Sequence, residues 1–291
     1  MNRQKLLERL AKLALDEDRA DRDLTSVLTV DKNIKGEAVI IARERLLVSG
    51  TEIVPIVVKQ LGSRGVRISK KVRDGEFVKD GDVLFQLKGP LCTLLSIERT
   101  LLNFLQRTCG VATHTNQLLC KVEGIKVLDT RKTMPGFRIL DKQSVKAGGG
   151  HNHRMNLSDL IMVKNNHIDA NGGDLRKTLD RLYKRKPKKV KVEVEVRDFK
   201  ELAIALEYAP DIIMLDNMSD IEIKSALKQI KKSGVRTLIE ASGGITPERL
   251  ARLAKLGVDF VSMGRLTTQA RNVDISMRIK KLSRLNHARY Q

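Results

Sequence analysis

The sequence is poor in cysteine and in aromatic residues. Its 291 residues include three cysteines and no tryptophan, and aromatic residues make up 3%. The cysteines form no Cys-x-x-Cys pair, so neither a disulfide framework nor a structural zinc site is expected, and reduced thiols in a cytoplasmic protein are predicted. So few aromatic side chains also leave little surface on which unpaired nucleic-acid bases could stack.

Long apolar runs are missing as well. No run approaches the roughly 18 residues that a membrane-spanning helix needs. The first leucines are interrupted by charged side chains such as Arg3, Glu8 and Lys12, a pattern that argues against a secretory signal. Apolar residues still make up 41%, which is enough for the core of one large domain or two ordinary ones.

Acidic residues are too few to balance the basic ones. Lysine and arginine number 55 and aspartate and glutamate 35, for a net charge of +20. Such a field attracts nucleic acid, anionic lipid, or small phosphorylated and carboxylated substrates. The densest run has six cations in residues 184–191. Its place between a predicted helix and a predicted strand favours a solvated loop, with nucleic-acid contact as the alternative.

The N-terminal part reads as an α+β domain. Apolar spacing predicts a helix over residues 4–15, and short β-branched runs alternate with turn signals over 36–90. A helix is predicted at 52–61 and a hairpin at 74–87. A long helix is predicted over 96–118. We therefore expect an α+β sandwich domain over residues 1–110.

The rest of the chain alternates strand-like and helical segments. Six apolar runs each end in polar or glycine residues, at 125–128, 160–163, 190–194, 212–215, 237–239 and 260–263. Thr246, Pro247 and Gly257 mark the boundaries of one intervening helix. The spacing predicts a parallel sheet closing into an open, TIM-like α/β barrel over residues 111–273, with its active site at the carboxyl ends of the strands.

Two further expectations concern the limits of that barrel. A doubly wound open sheet is the alternative fold, but it would carry a Gly-x-Gly-x-x-Gly turn after its first strand, and this motif is absent. Residues 274–291 read as a basic helix that packs back on the N-terminal domain.

Cations gather at the predicted strand ends. They are Arg131, Lys132, His153, Arg154 and Lys164. An arginine binds a carboxylate or phosphate with two parallel hydrogen bonds, and a lysine adds a compact charge. Because five neighbouring cations repel one another, their convergence predicts a bound anion.

Carboxylates and small residues complete the predicted site. Glu195 and Asp216 follow adjacent strands and suit Mg²⁺ shared with substrate phosphates, or a developing positive charge; the alternative is that they only neutralise lysines. Two loops, Ser242–Gly244 and Gly264–Thr267, offer backbone N–H groups to a phosphate.

A His-x-His pair offers a different interpretation. His151 and His153 could ligate a metal, and a hydrolase built on them would require bound zinc. No further histidine cluster supports that. We interpret His153, next to Arg154, as a donor to an anion.

Taken together, the motifs resemble one family. The strings ERTLLNFLQRTCGVAT, DTRKTMPGFR, KAGGGHNHRMNLSD, IMVKNNHI, VEVEV, IIMLDN, EASGGIT and VSMGRLT occur in order, and the chain resembles quinolinate phosphoribosyltransferase. The resemblance implies a sandwich domain and an open barrel, paired as a dimer or a higher oligomer. It also implies conversion of quinolinate and phosphoribosyl pyrophosphate (PRPP) to nicotinate mononucleotide, pyrophosphate and CO₂ with Mg²⁺.

The resemblance also implies roles for particular residues. Quinolinate would be bound by Thr130, Arg131, His153, Arg154 and Lys164, with Arg99 supplied by the partner subunit. PRPP would meet Lys132, Glu195, Asp216, Ser242, Gly243, Gly244, Gly264, Arg265 and Leu266, with Mg²⁺ at Glu195 and Asp216. Lys132, Lys164, Glu195 and Asp216 would be the catalytic set.

Some positions depart from the family pattern. Arg265 and Thr268 stand where a small residue and a histidine are usual, and Arg22 replaces a glycine before Asp23. A molybdenum-transport-associated relative of the same fold is an alternative, but such proteins typically lack the lysine found here at 164. A basic nucleic-acid-binding barrel would explain the charge but not the ordered strand ends.

Overall fold

The computed structural model describes residues 2–62, 65–120 and 122–284. The chain forms two compact units. The first unit comprises Met1–Gln117, Thr133–Gly149 and Gln269–Gln291, and the second comprises Leu118–Lys132 and Gly150–Thr268. The prediction joined residues 1–110 and 274–291 in one domain, and the first unit also contains Thr133–Gly149.

Helices of the first part of the chain follow the apolar spacing of the sequence. They are α1 (Arg3–Glu17), α2 (Leu24–Thr29), α3 (Ile53–Gln60), α4 (Leu91–Ser96), α5 (Glu98–Leu119) and α6 (Arg138–Ala147). The Asn2 side chain accepts the Gln4 N–H and so caps α1. Leu7, Ala11 and Leu15 form its buried stripe. A 3₁₀ turn at Ala20–Arg22 precedes α2.

An antiparallel sheet carries the core of the first unit. Its strands are β1 (Ile34–Ala42), β3 (Arg67–Lys70), β5 (Val83–Pro90) and β12 (Ile275–Arg284), in the order β12-β1-β5-β3. β2 (Leu46–Leu47) and β4 (Phe77–Val78) form a separate pair. The buried core includes Leu84, Phe85 and Leu87 from β5 together with Ile97 and Leu101.

Two predictions for this unit were wrong. Residues 275–284 form a strand rather than part of a helix over 274–291, because Ile275 and Met277 alternate with polar residues and are buried against β1; residues 285–291 lie outside the described residues. The hairpin at 74–87 is also absent from the described strand pairings, since β4 pairs with β2 while β5 pairs with β1 and β3.

The second unit is built on a parallel sheet. Its strands are β6 (Lys126–Leu128), β7 (Ile161–Val163), β8 (Val192–Val196), β9 (Ile212–Asp216), β10 (Leu238–Ser242) and β11 (Phe260–Ser262). Its helices are α7 (Asn165–Asp169), α8 (Leu175–Tyr183), α9 (Phe199–Glu207), α10 (Asp220–Ser233), α11 (Pro247–Leu256) and α12 (Arg265–Thr268).

The strand order confirms the open α/β barrel. It runs β6-β11-β10-β9-β8-β7, so β7 to β11 follow chain order around the sheet and β6 lies beside β11. In a doubly wound sheet the order of the strands would instead reverse near the centre of the sheet. The six strands are the six predicted runs, and their carboxyl ends meet at one edge of the sheet, where α/β barrels place their sites.

Among the described residues, no helix combines the length and the apolar character that crossing a membrane requires.

Candidate active site

Every strand of the second unit delivers a predicted site residue to the same edge of the sheet. Arg131 follows β6 and Lys164 follows β7, while Glu195 lies near the end of β8. Asp216 ends β9 and is the register partner of Ser242, the last residue of β10. The parallel register therefore brings together side chains that are far apart in the sequence.

Lysine and carboxylate side chains contact one another at this edge. The ammonium group of Lys164 pairs with Glu195. Burial raises the pKa of Asp216, and the charge of Glu195 raises it further, while Lys164 and Lys132 act in the opposite direction. Glu195 and Asp216 thus lie close enough to repel each other. Lys164 and Lys132 lie close enough to stabilise the negative charge of Asp216.

Two arginines share a second part of the site. Burial lowers the pKa of the Arg154 guanidinium, and the positive charge of Arg131 lowers it further. Arg154 is held by a hydrogen bond of 3.0 Å from its Nη1 to the Leu160 carbonyl oxygen. Like charges held together in this way are stabilised by an anion between them.

The glycine loop after β11 lies against Lys132. A Cβ built on Gly264 would stand 2.9 Å from the Lys132 Cδ and 3.7 Å from its Nζ. The Thr267 hydroxyl donates to the Lys132 carbonyl oxygen at 2.7 Å, and the Lys132 N–H donates to the Thr130 hydroxyl at 3.0 Å. Hydrogen bonds from both sides thus fix the lysine backbone beside the loop predicted to bind phosphate.

The loop after β10 is fixed by two residues that were not predicted. The Asn217 N–H donates to the Ser242 carbonyl oxygen at 2.9 Å. A Cβ on Gly243, which has φ of +87°, would lie only 2.1 Å from the Asn217 Oδ1. Arg249 donates to the Gly243 carbonyl oxygen at 3.1 Å and to Asp220 at 2.8 Å. Asn217 and Arg249 therefore fix the backbone conformation of this loop.

His153 has close neighbours at both ring nitrogens. Nδ1 accepts the Arg154 N–H at 2.7 Å. Nε2 lies 3.1 Å from a Glu193 oxygen and 3.4 Å from a Glu240 oxygen. Both glutamate side chains are 0% exposed. Neither glutamate was predicted from the sequence. Glu193 could have been found in the VEVEV string, because it lies two residues before Glu195 and on the same face of β8. Nothing in the sequence pairs it with Glu240.

The electrostatics of this cluster favour an added proton. Burial disfavours a positive charge on the His153 ring, whereas the two glutamates favour it. The net effect is to raise the pKa of His153. Burial, with repulsion from Glu240, raises the pKa of Glu193. Because Nδ1 accepts the Arg154 N–H, we assign the ring proton to Nε2, the nitrogen that faces the two glutamates.

Three predicted residues have different surroundings. Arg99 is exposed on α5, in the first unit. Arg265 is close enough to Glu248, in the first turn of α11, to contribute to lowering the pKa of that carboxyl group. His151 is exposed and pairs through its backbone with Val127. Among the described residues, the cluster with metal-ligand spacing is His153, Glu193 and Glu240, without His151.

An α/β barrel with cations, paired carboxylates and two glycine loops at its strand ends defines the class of anion-binding barrel enzymes. The family model for the C-terminal domain of quinolinate phosphoribosyl transferase matches residues 111–278, and the model for its N-terminal domain matches residues 23–109. The chain belongs to the quinolinate phosphoribosyltransferase family.

Individual relatives match most of the chain. The chain is 38% identical over 264 residues to the probable nicotinate-nucleotide pyrophosphorylase (carboxylating) of Archaeoglobus fulgidus, covering 88% of this chain and 98% of that protein. The crystal structure of NadC from Streptococcus pyogenes matches with a TM-score of 0.87 at 34% identity, covering 98% and 99%. The nicotinate-nucleotide pyrophosphorylase of Francisella tularensis matches with a TM-score of 0.84 at 35% identity, covering 96% and 98%.

Proposed function

We propose that this protein transfers the phosphoribosyl group of PRPP to quinolinate with loss of CO₂, giving nicotinate mononucleotide and pyrophosphate for NAD synthesis. The observation that carries the proposal is the convergence of two arginines, two lysines and two carboxylates at one edge of the barrel sheet. Quinolinate carries two carboxylates and PRPP several phosphates, so both substrates need such a set of cations.

The arginine pair suits the dicarboxylate. Arg131 and Arg154 are close enough for mutual repulsion, and a carboxylate between them would relieve it through paired hydrogen bonds. Lys164 lies beside Glu195 and is assigned to the second carboxylate. Thr130 and His153 remain predicted members of this part of the site, the first through its contact with the Lys132 backbone.

The remaining groups suit PRPP. Lys132 lies between Gly264 and the carboxylates, where its ammonium group can neutralise the departing pyrophosphate. Ser242–Gly244 and Gly264–Leu266 offer backbone N–H groups to the 5-phosphate. Glu195 and Asp216 would face the ribose, and their negative charge stabilises the positive character that builds at the anomeric carbon as the pyrophosphate bond breaks.

A divalent cation fits beside the same carboxylates. Asp216 and Glu195 repel each other; Glu195 is buried and Asp216 is half-buried. Carboxylates with substrate phosphates are the ligands that Mg²⁺ takes in such sites. Glu195 and Asp216 would hold the ion with PRPP. When bound, Mg²⁺ supplies positive charge that neutralises the pyrophosphate.

Decarboxylation follows from the ring chemistry. Once the bond from the pyridine nitrogen to the anomeric carbon has formed, the ring is cationic. The bond from the adjacent carbon to its carboxylate then breaks, CO₂ leaves, and the ring holds the electron pair until that carbon takes up a proton. The role of Arg131 and Arg154 is to orient the ring, while the protein excludes water from the anomeric carbon.

We infer a homodimer in which Arg99 of one subunit completes the site of the other. Arg99 is exposed on α5, where it is available to a neighbouring copy of the chain. Mixing Arg99→Ala with Arg131→Ala tests this: hybrid dimers contain one site with both changes and one with neither. About a quarter of wild-type activity should return, and no recovery from subunits that exchange would contradict a shared site.

The thiols support a reducing compartment. We propose a cytoplasmic location, which agrees with three cysteines that form no disulfide with one another in the described part of the chain.

The decisive experiment is a product assay. The purified protein is incubated with quinolinate, PRPP and Mg²⁺, and nicotinate mononucleotide and CO₂ are measured. Nicotinate in place of quinolinate is the monocarboxylate control, and chelation of the metal is the second control. Equal turnover of nicotinate, or binding of nucleic acid with no transfer activity, would contradict the proposal.

A further inference from the structure

Glu193 and Glu240, which face the ring of His153, have no role in the reaction as described so far. Both glutamates are fully buried inside the second unit. Their four carboxylate oxygens have no hydrogen-bond partner among the described residues. The ring nitrogen Nε2 of His153 lies 3.1 Å from one and 3.4 Å from the other, without the alignment of a straight hydrogen bond. Two such carboxylates are costly to bury, so a function is needed to explain them.

The histidine links this cluster to the predicted substrate site. Its backbone N–H donates to the buried Asp129 carboxylate at 2.9 Å. Its Nδ1 accepts the N–H of Arg154 at 2.7 Å. The glutamates at the other end of the ring therefore limit its rotation, and the ring in turn fixes the backbone from which the Arg154 side chain projects.

A metal centre is the competing explanation. The three side chains offer ligand atoms that lie within 4.8 Å of one another. A histidine that binds a metal through one ring nitrogen normally donates an N–H from the other. Here Nδ1 is an acceptor, so Nε2 carries the ring proton and has no lone pair for a metal. The geometry favours carboxylates that face a protonated Nε2 at 3.1 and 3.4 Å over carboxylates that bind a metal.

We propose that Glu193 and Glu240 are positioning residues for quinolinate: they hold the His153 ring, and His153 fixes the backbone of Arg154. His153 then acts on the substrate through Arg154. The proposal rests on the proposed function for the identity of the ligand. It makes quinolinate binding depend on two buried glutamates, because their contact with His153 leads to Arg154, which is assigned to quinolinate and not to PRPP.

Two substitutions at one position separate this role from simple packing. Glu240→Gln keeps an oxygen that can accept from the ring, and Glu240→Leu keeps similar volume with no acceptor. Glu201→Gln is the matched control, because Glu201 is also a buried carboxylate of the second unit and pairs with Arg197 at 2.9 Å. Thermal unfolding of each variant reports on folding; if Glu240→Leu does not fold, Glu193→Gln takes its place.

Steady-state kinetics give the first readout. We expect Glu240→Leu to raise the KM for quinolinate about tenfold or more, with the KM for PRPP changed less than about twofold. Glu240→Gln should lie between it and the wild type, and Glu201→Gln should change neither constant. An equal rise in both constants, or no change in either, would overturn the proposal while leaving the assigned reaction intact.

A spectroscopic readout tests the cluster without any turnover. Long-range ¹⁵N–¹H spectra of the five histidines, with His153→Asn to assign the signal, should show a proton on Nε2 of His153 and none on Nδ1. A proton on Nδ1, or an equimolar transition metal in the purified protein, would refute the positioning role. If the wild-type protein shows the expected tautomer but has no transferase activity, the result counts against the proposed function instead.

Discussion

Replacing Gly243 by alanine tests how the loop after β10 is held. The added Cβ would stand 2.1 Å from the Asn217 Oδ1 and 2.5 Å from its Cγ, so the asparagine side chain must move. Gly244 is the matched control: it also has positive φ, +57°, but a Cβ there meets no atom within 4 Å. Both substitutions share the backbone strain of a left-handed conformation, about 1–2 kcal/mol.

The difference between the two variants comes from Asn217. Its Nδ2 donates to the Asp216 carboxylate at 2.9 Å, and displacement of the side chain removes this hydrogen bond to a charged group, worth about 1.5–3 kcal/mol. The value of kcat/KM for PRPP in Gly243→Ala should therefore fall about ten- to a hundredfold below that of Gly244→Ala.

The assay measures nicotinate mononucleotide formation over a range of PRPP concentrations at saturating quinolinate. A double variant, Asn217→Gly with Gly243→Ala, removes the side chain that the new Cβ would strike. Since Asn217 itself has φ of +56°, glycine is tolerated there, and the double variant, which keeps only the backbone strain at position 243, should be no worse than Gly243→Ala alone. Equal losses in the two alanine variants, or a double variant worse than Gly243→Ala, would refute the reasoning.

Three further substitutions are expected to have distinct effects. Arg131→Ala should nearly abolish turnover of quinolinate with little change in thermal unfolding, and near-normal activity would contradict its assignment. Lys164→Ala should lower kcat/KM by at least about a hundredfold, since it removes a cation from the carboxylates; a change confined to stability would argue for a structural role. Asp23→Ala removes the cap of α2, and urea unfolding should show a loss of about 1 kcal/mol near neutral pH. Hydrogen bonds from Ser26 and Ser96 lower the pKa of Asp23 below its ordinary value of 3.8, so the stabilisation is complete above that value. The difference between wild type and variant should shrink as the pH falls through the lowered pKa, and a difference that persists in strong acid would contradict this.

The barrel could be predicted because its signals are local and repeated. Each strand is a short apolar run that ends in a polar or glycine residue, and Thr246, Pro247 and Gly257 mark α11 as expected, with Thr246 accepting the Arg249 N–H. The convergence of Lys164, Glu195 and Asp216 then follows from the geometry of parallel strands, whose carboxyl ends share one edge.

The errors arose where long-range pairing decides the outcome. The basic residues of 275–284 favoured a helix, although the alternation of Ile275 and Met277 with polar neighbours is a strand signal. Pairing with β1 makes that alternation decisive. Glu240 escaped notice for a related reason, because an acidic residue inside an apolar strand shows its purpose only when its neighbours in the barrel are known.

The pairing of β12 with β1 has a consequence for synthesis on the ribosome. β1 emerges early, and its partner is translated only after all six strands of the parallel sheet have been made. Until then one edge of β1 has no neighbour and its backbone amides are open to unwanted strands. The six strands of the parallel sheet all precede β12 in the chain and can pair with one another before it is made. The nascent chain can therefore complete the second unit before β12 completes the first.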